Sequence, residues 1–363
     1  MKISMFYHSL ISDWNHGNAH FLRGFASELV RRGHDVSVYE PENNWSLRNL
    51  LQTAGEEAVA EFNRYFPSLR SNFYDPDNLE PEKILEGQDL VIVHEWNELS
   101  VVNAIGRHKA SGGKYILLFH DTHHRSITDH EGIGGYDLSA YDGVLAFGDV
   151  IRDKYLANGW AKHAWTWHEA ADTAIFYPRA KVPPSGDLVW IGNWGDEERT
   201  RELFEFLIEP VRELNLKAKV YGVRYPEHAL QALSDAGIEY GGWLPNYKVP
   251  EIFARYRVTV HVPRRPYVDA LPGIPTIRPF EALACGIPLV CSPWQDTEHL
   301  FAPGEDHLVA LNKEEMKMRL SRILDDDVFS AALAANGLQT VRSRHSCSHR
   351  VDELFAILDQ LES

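Results

Sequence analysis

Short apolar runs alternate along the chain with longer segments in which apolar residues recur every three or four positions. Residues 2–7 form the first run and predict a buried strand. Residues 18–32 predict a helix, because Phe21, Phe25 and Leu29 fall on one face and Gly33 sits at the C-cap position. Residues 36–39 predict a second strand, and residues 46–66 a helix with an acidic middle. The runs 89–93, 115–119 and 143–147 are apolar throughout, as in strands covered on both faces of a parallel sheet.

The alternation restarts after Pro178. The segment 178–186 carries three prolines and a glycine and reads as a linker. Strands are then predicted over 187–191, 217–221, 257–262 and 287–291, and helices over 197–214, 226–236 and 277–284. A last amphipathic helix covers roughly 347–362. Two such series predict an α/β protein of two facing Rossmann-like domains with parallel sheets and a cleft between them. The expected division is 1–175, joined by the closing helix 345–363, and 184–344.

The chain has 363 residues and a formal net charge of -16. Such a charge repels nucleic acid and anionic membrane, so an anionic ligand must be met by a local basic cluster. Three cysteines without CxxC spacing argue against a disulfide scaffold or a thiolate zinc site and fit a reducing, cytoplasmic setting. The N-terminus lacks the long apolar core of a signal peptide, and no run approaches the roughly 18 apolar residues of a membrane span. Peripheral membrane contact stays open.

Ligands of open α/β sheets bind at the carboxyl ends of the strands. In the second half, strand 187–191 ends in Gly192-Asn193-Trp194-Gly195, a glycine-flanked turn suited to a phosphate, with Arg199 and Arg201 following. Strand 257–262 leads into Arg264 and Arg265 and a proline-rich loop ending at Pro275. A helix then begins at Thr276-Ile277-Arg278-Pro279-Phe280-Glu281, with Thr276 expected as its N-cap. Arginine and a helix N-terminus suit a phosphate, and Glu281 on the same turn suits the vicinal hydroxyls of a ribose.

The segment Arg278-Pro-Phe-Glu281-Ala-Leu-Ala-Cys-Gly286-Ile-Pro288 resembles the donor-binding segment of the group 1 glycosyltransferases of GT-B fold. Phe176-Tyr-Pro178 resembles the end of their interdomain segment, Gly192 their first phosphate loop, and Gly242-Trp243-Leu244-Pro245 the loop that reads the base. The likeness covers nearly the whole chain and is nearest to the CgeB-like branch. It implies a hexosyltransferase in carbohydrate biosynthesis, probing a nucleotide-diphosphate sugar as co-substrate with no cofactor and no metal, and a retaining outcome. The acceptor would be a carbohydrate, a lipid-linked molecule or a small molecule. One departure matters: the family carries a second glutamate, in contact with the transferred sugar, at the position held here by Gly273.

In the first half, three predicted strands end in polar loops. These contain Asp13, His16, Gly17 and Asn18, then His94, Glu95 and Trp96, then His120, Asp121, His123 and His124. The resemblance places the acceptor or sugar side here, with His120 and Asp121 as catalytic candidates. Histidine can pass a proton near neutral pH, Asp121 can position it or act as base, and Trp96 can stack on a sugar face. Two other readings compete. One is a metal-dependent hydrolase built on His120, Asp121, His123, His124 and His130. The other is a catalytically silent nucleotide-sugar-binding protein, since the sugar-reading glutamate is missing at Gly273.

Overall fold

The computed structural model describes residues 1–180 and 182–362. Lys181, within the expected linker, and Ser363, at the end of the expected closing helix, lie outside the described residues. The contacts divide the chain into two units, one holding Met1–Glu169 with the closing helix Cys347–Glu362, the other Ala170–Ser346.

The first unit is built on seven parallel strands: β1 (Lys2–Phe6), β2 (Asp35–Pro41), β3 (Ser71–Tyr74), β4 (Leu90–His94), β5 (Ile116–Asp121), β6 (Gly143–Ala146) and β7 (Ala164–Thr166). Their order is β3-β2-β1-β4-β5-β6-β7. The central strands are buried on both faces, which is why they read as unbroken apolar runs. The order reverses direction between β1 and β4, whose register pairs Phe6 with Val93. Loops leaving this switch point gather at the carboxyl ends of the strands. The closing helix packs on the helix Ala19–Arg31. Its buried Arg350 donates through Nε to His168 O at 2.9 Å and accepts at its carbonyl from Trp167 Nε1 at 2.9 Å.

The second unit carries six parallel strands: β8 (Gly186–Ile191), β9 (Ala218–Tyr221), β10 (Glu239–Tyr240), β11 (Tyr256–His261), β12 (Leu289–Cys291) and β13 (Leu308–Val309). Their order is β10-β9-β8-β11-β12-β13, with the switch point between β8 and β11. Leu188, Trp190, Val220, Val258, Val260 and Val290 form the centre of its core.

Two elements differ from the sequence pattern. The expected helix 46–66 is two helices, Trp45–Ala54 and Glu57–Tyr65, because Gly55 turns the backbone to a φ of +69° and stops the first. The expected helix 197–214 begins only at Thr200 and contains a π-helical turn, Phe204–Ile208, just before Pro210. Proline has no N–H to give and crowds the carbonyl four residues back, and a wider turn relieves both.

Candidate functional site

In the second unit the loops at the carboxyl ends of β8, β9 and β10 are tied to one another. Gly192 N–H donates to Tyr221 O at 2.8 Å, and Gly222 N–H donates to Gly242 O at 2.8 Å. Tyr225 Oη donates to Gly192 O at 2.8 Å, and Asn193 Oδ1 accepts Val223 N–H at 2.9 Å. Gly192, Asn193 and the half-buried Trp243 and Leu244 therefore share one rim.

Arg199 closes that rim from beneath. Its guanidinium donates to Val262 O at 2.7 Å, to Asn193 O at 2.5 Å and to Trp194 O at 3.4 Å, and lies 5.1 Å from the centre of the Trp190 ring. Burial, with the charges of Arg264 and Arg278 nearby, lowers its pKa to about 9. The sequence suggests Arg199 as a phosphate ligand. In the structure its guanidinium donates to three backbone carbonyls, which fixes the ends of β8 and β11 relative to each other.

The loop after β11 contains a short helix, Arg265–Ala270, where the sequence predicts an irregular segment. Arg264 pairs with Glu198 at 3.1 Å, and Arg265 lies 3.7 Å from Glu202. The helix Ile277–Ala284 follows, with Ile277, Glu281 and most of its length buried. Thr276 stands at its N-cap position, but its side chain makes no capping bond. A capping threonine needs an extended backbone, whereas Thr276 has a φ of +60° and a ψ of -179°. Its Oγ1 lies 3.4 Å from Nε2 of His261 instead. His261 is buried, and burial lowers its pKa to about 3, so it is neutral.

A β-branched residue at that backbone geometry stores about 1–3 kcal/mol of strain. Thr276→Gly is therefore expected to raise unfolding free energy by about 1 kcal/mol after glycine's entropic cost, measured by urea denaturation. A loss of stability would show that the Thr276 side chain holds the helix start in place.

Glu281 is fully buried on this helix's first turns. It pairs with Arg278 and accepts from Asn246 Nδ2 at 2.6 Å. Asn246 follows the Gly242–Pro245 segment, so the base-side loop and the helix start are joined through one carboxylate. A carboxylate offers about four acceptor positions, so these two contacts are compatible with hydroxyl donors as well. The arrangement brings Thr276, Ile277, Arg278 and Glu281 onto one helix start and adds Asn246 and His261, which the sequence does not single out.

In the first unit, the loops after β1, β4 and β5 converge. Asn18 Nδ2 donates to Thr122 O at 3.3 Å and also to its hydroxyl, while His94 Nε2 and Thr122 Oγ1 lie 2.9 Å apart. His120 is 1% exposed, packed edge-on to Trp167 at 4.9 Å and His94 at 5.3 Å between ring centres. Neither of its ring nitrogens has a protein hydrogen-bond partner, and burial lowers its pKa to about 3. Burial likewise lowers the pKa of His94, His16 and His8. Asp121 accepts His123 N–H at 3.0 Å and Tyr155 Oη–H at 2.9 Å. Burial raises both its pKa and that of the buried Glu95, which the Asp121 charge pushes up further and the adjacent Arg125, 3.3 Å away, pulls down.

Asp13 pairs with the buried Arg23 at 2.9 Å, beside the rings of Phe62 and Phe66. His16 Nε2 lies 3.1 Å from Ser9 O. Gly17 is exposed. Trp96 is 38% exposed, with Arg125 5.0 Å from its ring centre.

Residues 199–356 match a family model described as glycosyl transferase-like. The chain has the GT-B fold, and the matched segment is glycosyl transferase-like. Three solved structures align over essentially its whole length. Sucrose-phosphate synthase from Thermosynechococcus elongatus shares 13% identity at a TM-score of 0.67, covering 99% of each chain. Anabaena HepE in complex with UDP-glucose shares 14% at 0.68, covering 99% of this chain and 100% of that one. T4 phage BGT in complex with its UDP-glucose substrate shares 12% at 0.62, covering 100% of both. No curated protein matches the sequence significantly.

The histidine-rich loop of the first unit is not arranged as a metal centre among the described residues. Among the described residues no group of three or more His, Cys, Asp or Glu side chains is placed to hold a metal ion. His120 is enclosed by aromatic rings, Asp121 is engaged by Tyr155, His124 Nδ1 lies 2.8 Å from Thr128 Oγ1, and His130 packs on Trp160. The hydrolase reading finds no support in this geometry. Among the described residues, no helix is long and apolar enough to cross a membrane.

Proposed function

We propose that this protein transfers a sugar from a nucleoside-diphosphate sugar, with uridine as its base, to an acceptor hydroxyl. The observation that carries the reading is the buried Glu281 carboxylate, held by Arg278 and Asn246 on the first turns of a helix whose N-terminus opens at strained Thr276. One helix turn thus presents amides and an arginine for phosphate and a carboxylate for ribose hydroxyls. The named neighbours bound to UDP-glucose support uridine as the base.

In this reading the sugar C1–oxygen bond to the diphosphate breaks and a bond from C1 to the acceptor oxygen forms. Arg264, Arg278 and the helix amides take up the charge released on the diphosphate, with no metal in the step. His120 is a weak base in its buried pocket, and Asp121 already accepts from His123 and Tyr155. The acceptor proton therefore passes to the leaving diphosphate on the same face, which gives retention. The first unit supplies the acceptor side, through residues such as Asn18, His94, Glu95 and Trp96. The acceptor is a carbohydrate, a lipid-linked molecule or a small molecule in the cytoplasm. The net charge of -16 disfavours nucleic acid.

The test is a thermal-shift series with UDP, GDP, ADP and their glucose conjugates. At a hundredfold excess over Kd a ligand adds about 2.7 kcal/mol, or a rise of about 5–10 °C for a unit of this size. The uridine ligands are expected to give that rise. No shift with any nucleoside diphosphate overturns the donor site. Binding without transfer to any acceptor would mark a silent nucleotide-sugar-binding protein.

A further inference from the structure

Gly273 lies between the short helix Arg265–Ala270 and the helix that starts at Ile277. Its φ is +93°, a conformation that L side chains rarely adopt. Space is lacking as well. A Cβ built on Gly273 would stand 2.6 Å from Oε1 of Glu298, 2.9 Å from its Cγ and 2.9 Å from Thr297 Oγ1. The Glu298 side chain occupies the volume in which a side chain at 273 would begin.

That placement is held by the backbone. Gly273 N–H donates to Gln295 O at 2.6 Å, fastening the loop after β11 to the loop after β12. Asp296 accepts Leu300 N–H at 3.0 Å and Phe301 N–H at 2.9 Å, which fixes the chain on either side of Glu298. Glu298 itself is half-buried, so it is anchored yet reachable.

We infer that Glu298 is the carboxylate that reads the hydroxyls of the donor sugar. The inference rests on the donor-site reading above and names the residue that completes it. Gly273 is four residues before Ile277, so Glu298 sits within about 14 Å of chain from the phosphate-facing helix start. A carboxylate so close to an anion site opposes binding of a bare diphosphate. It becomes favourable when the ligand carries neutral hydroxyls that donate to it, since hydrogen bonds to a charged acceptor are the strong ones. The sugar ring joined to the diphosphate has such hydroxyls. Glu298, 25 residues further along the chain, fills the space from which a side chain at 273 would extend.

This assignment makes an unusual demand: removing Glu298 should affect two related ligands in opposite senses. The experiment is calorimetric titration of the wild type, Glu298→Gln and Gly273→Ala with UDP and with UDP-glucose, UDP-galactose and UDP-N-acetylglucosamine. Glu298→Gln is expected to weaken the best nucleotide sugar tenfold or more while leaving UDP affinity unchanged or tighter. Gly273→Ala, which forces Glu298 aside, is expected to show the same split. Retained UDP binding certifies that each variant is folded. Unchanged affinity for both ligand classes in Glu298→Gln overturns the inference, and so does an equal loss of both. A wild type that binds UDP but gains nothing from any sugar overturns it too, while leaving the diphosphate site intact. A wild type that binds no nucleotide at all overturns the donor site itself.

Discussion

Between pH 7 and pH 5 the protein is expected to lose several kcal/mol of stability. Burial lowers the pKa of His8 and His307 to about 4 and of His16, His120 and His261 to about 3, and holds His94 well below the usual range. In the unfolded chain all six titrate near 6.5. Between those values the unfolded chain binds more protons than the folded one. The stability is thus fully present above about 6.5 and is lost as pH falls toward the folded values. Each histidine contributes up to about 1.4 kcal/mol per pH unit in that window. Glu40, Glu95 and Asp121 run the other way, because burial raises them and their protonation favours the fold as pH falls. They offset part of the loss, and with six histidines against three carboxyls the net change is still a fall in stability, set against a typical total of about 5–15 kcal/mol. Urea midpoints at pH 7, 6 and 5 measure this directly. Four of the six histidines lie in the first unit, so its tryptophan signals should move first. A midpoint flat across this range would mean that water reaches these rings.

Glu281→Gln is expected to reduce nucleoside-diphosphate affinity at least tenfold. The substitution keeps the shape and an acceptor for Asn246 but removes the charge that answers Arg278. It also replaces a charge-assisted ribose contact by a neutral one, a difference of about 1–1.5 kcal/mol. Arg278→Ala should reduce affinity to a similar degree. Glu281→Ala adds a stability cost of about 3–5 kcal/mol, because it strips a buried ion pair of one partner. The glutamine variant therefore separates binding from folding. Calorimetry with UDP and a denaturation curve on the same sample check both. Undiminished binding in Glu281→Gln and Arg278→Ala together would remove the ribose and phosphate assignments.

The strands buried on both faces were legible because burial leaves an unbroken apolar run, as in β4 and β5. Edge strands such as β3, half exposed, and β10, two residues long, carry no such pattern. The helix Arg265–Ala270 was hidden by Pro266, which suits a first helical turn as well as a loop. At the site, Glu281 and Arg278 were legible because helix start, arginine and carboxylate lie within one turn. Arginine near a glycine turn signals phosphate, and the sequence gives no sign that Arg199 also binds the carbonyl of Val262, 63 residues away. Asn246 carries no such signal, since it meets Glu281 through tertiary folding rather than sequence spacing.

The closing helix has a consequence for how the chain is made. Because Cys347–Glu362 belongs to the first unit, that unit awaits residues synthesised after the second unit. The second unit is complete in sequence once Ser346 has emerged, whereas the helix Ala19–Arg31 keeps an uncovered face until Cys347–Glu362 has also left the ribosome. Proteolytic loss of Cys347–Glu362 would then damage the first unit, by removing Arg350 from His168 and Trp167, before it touched the second.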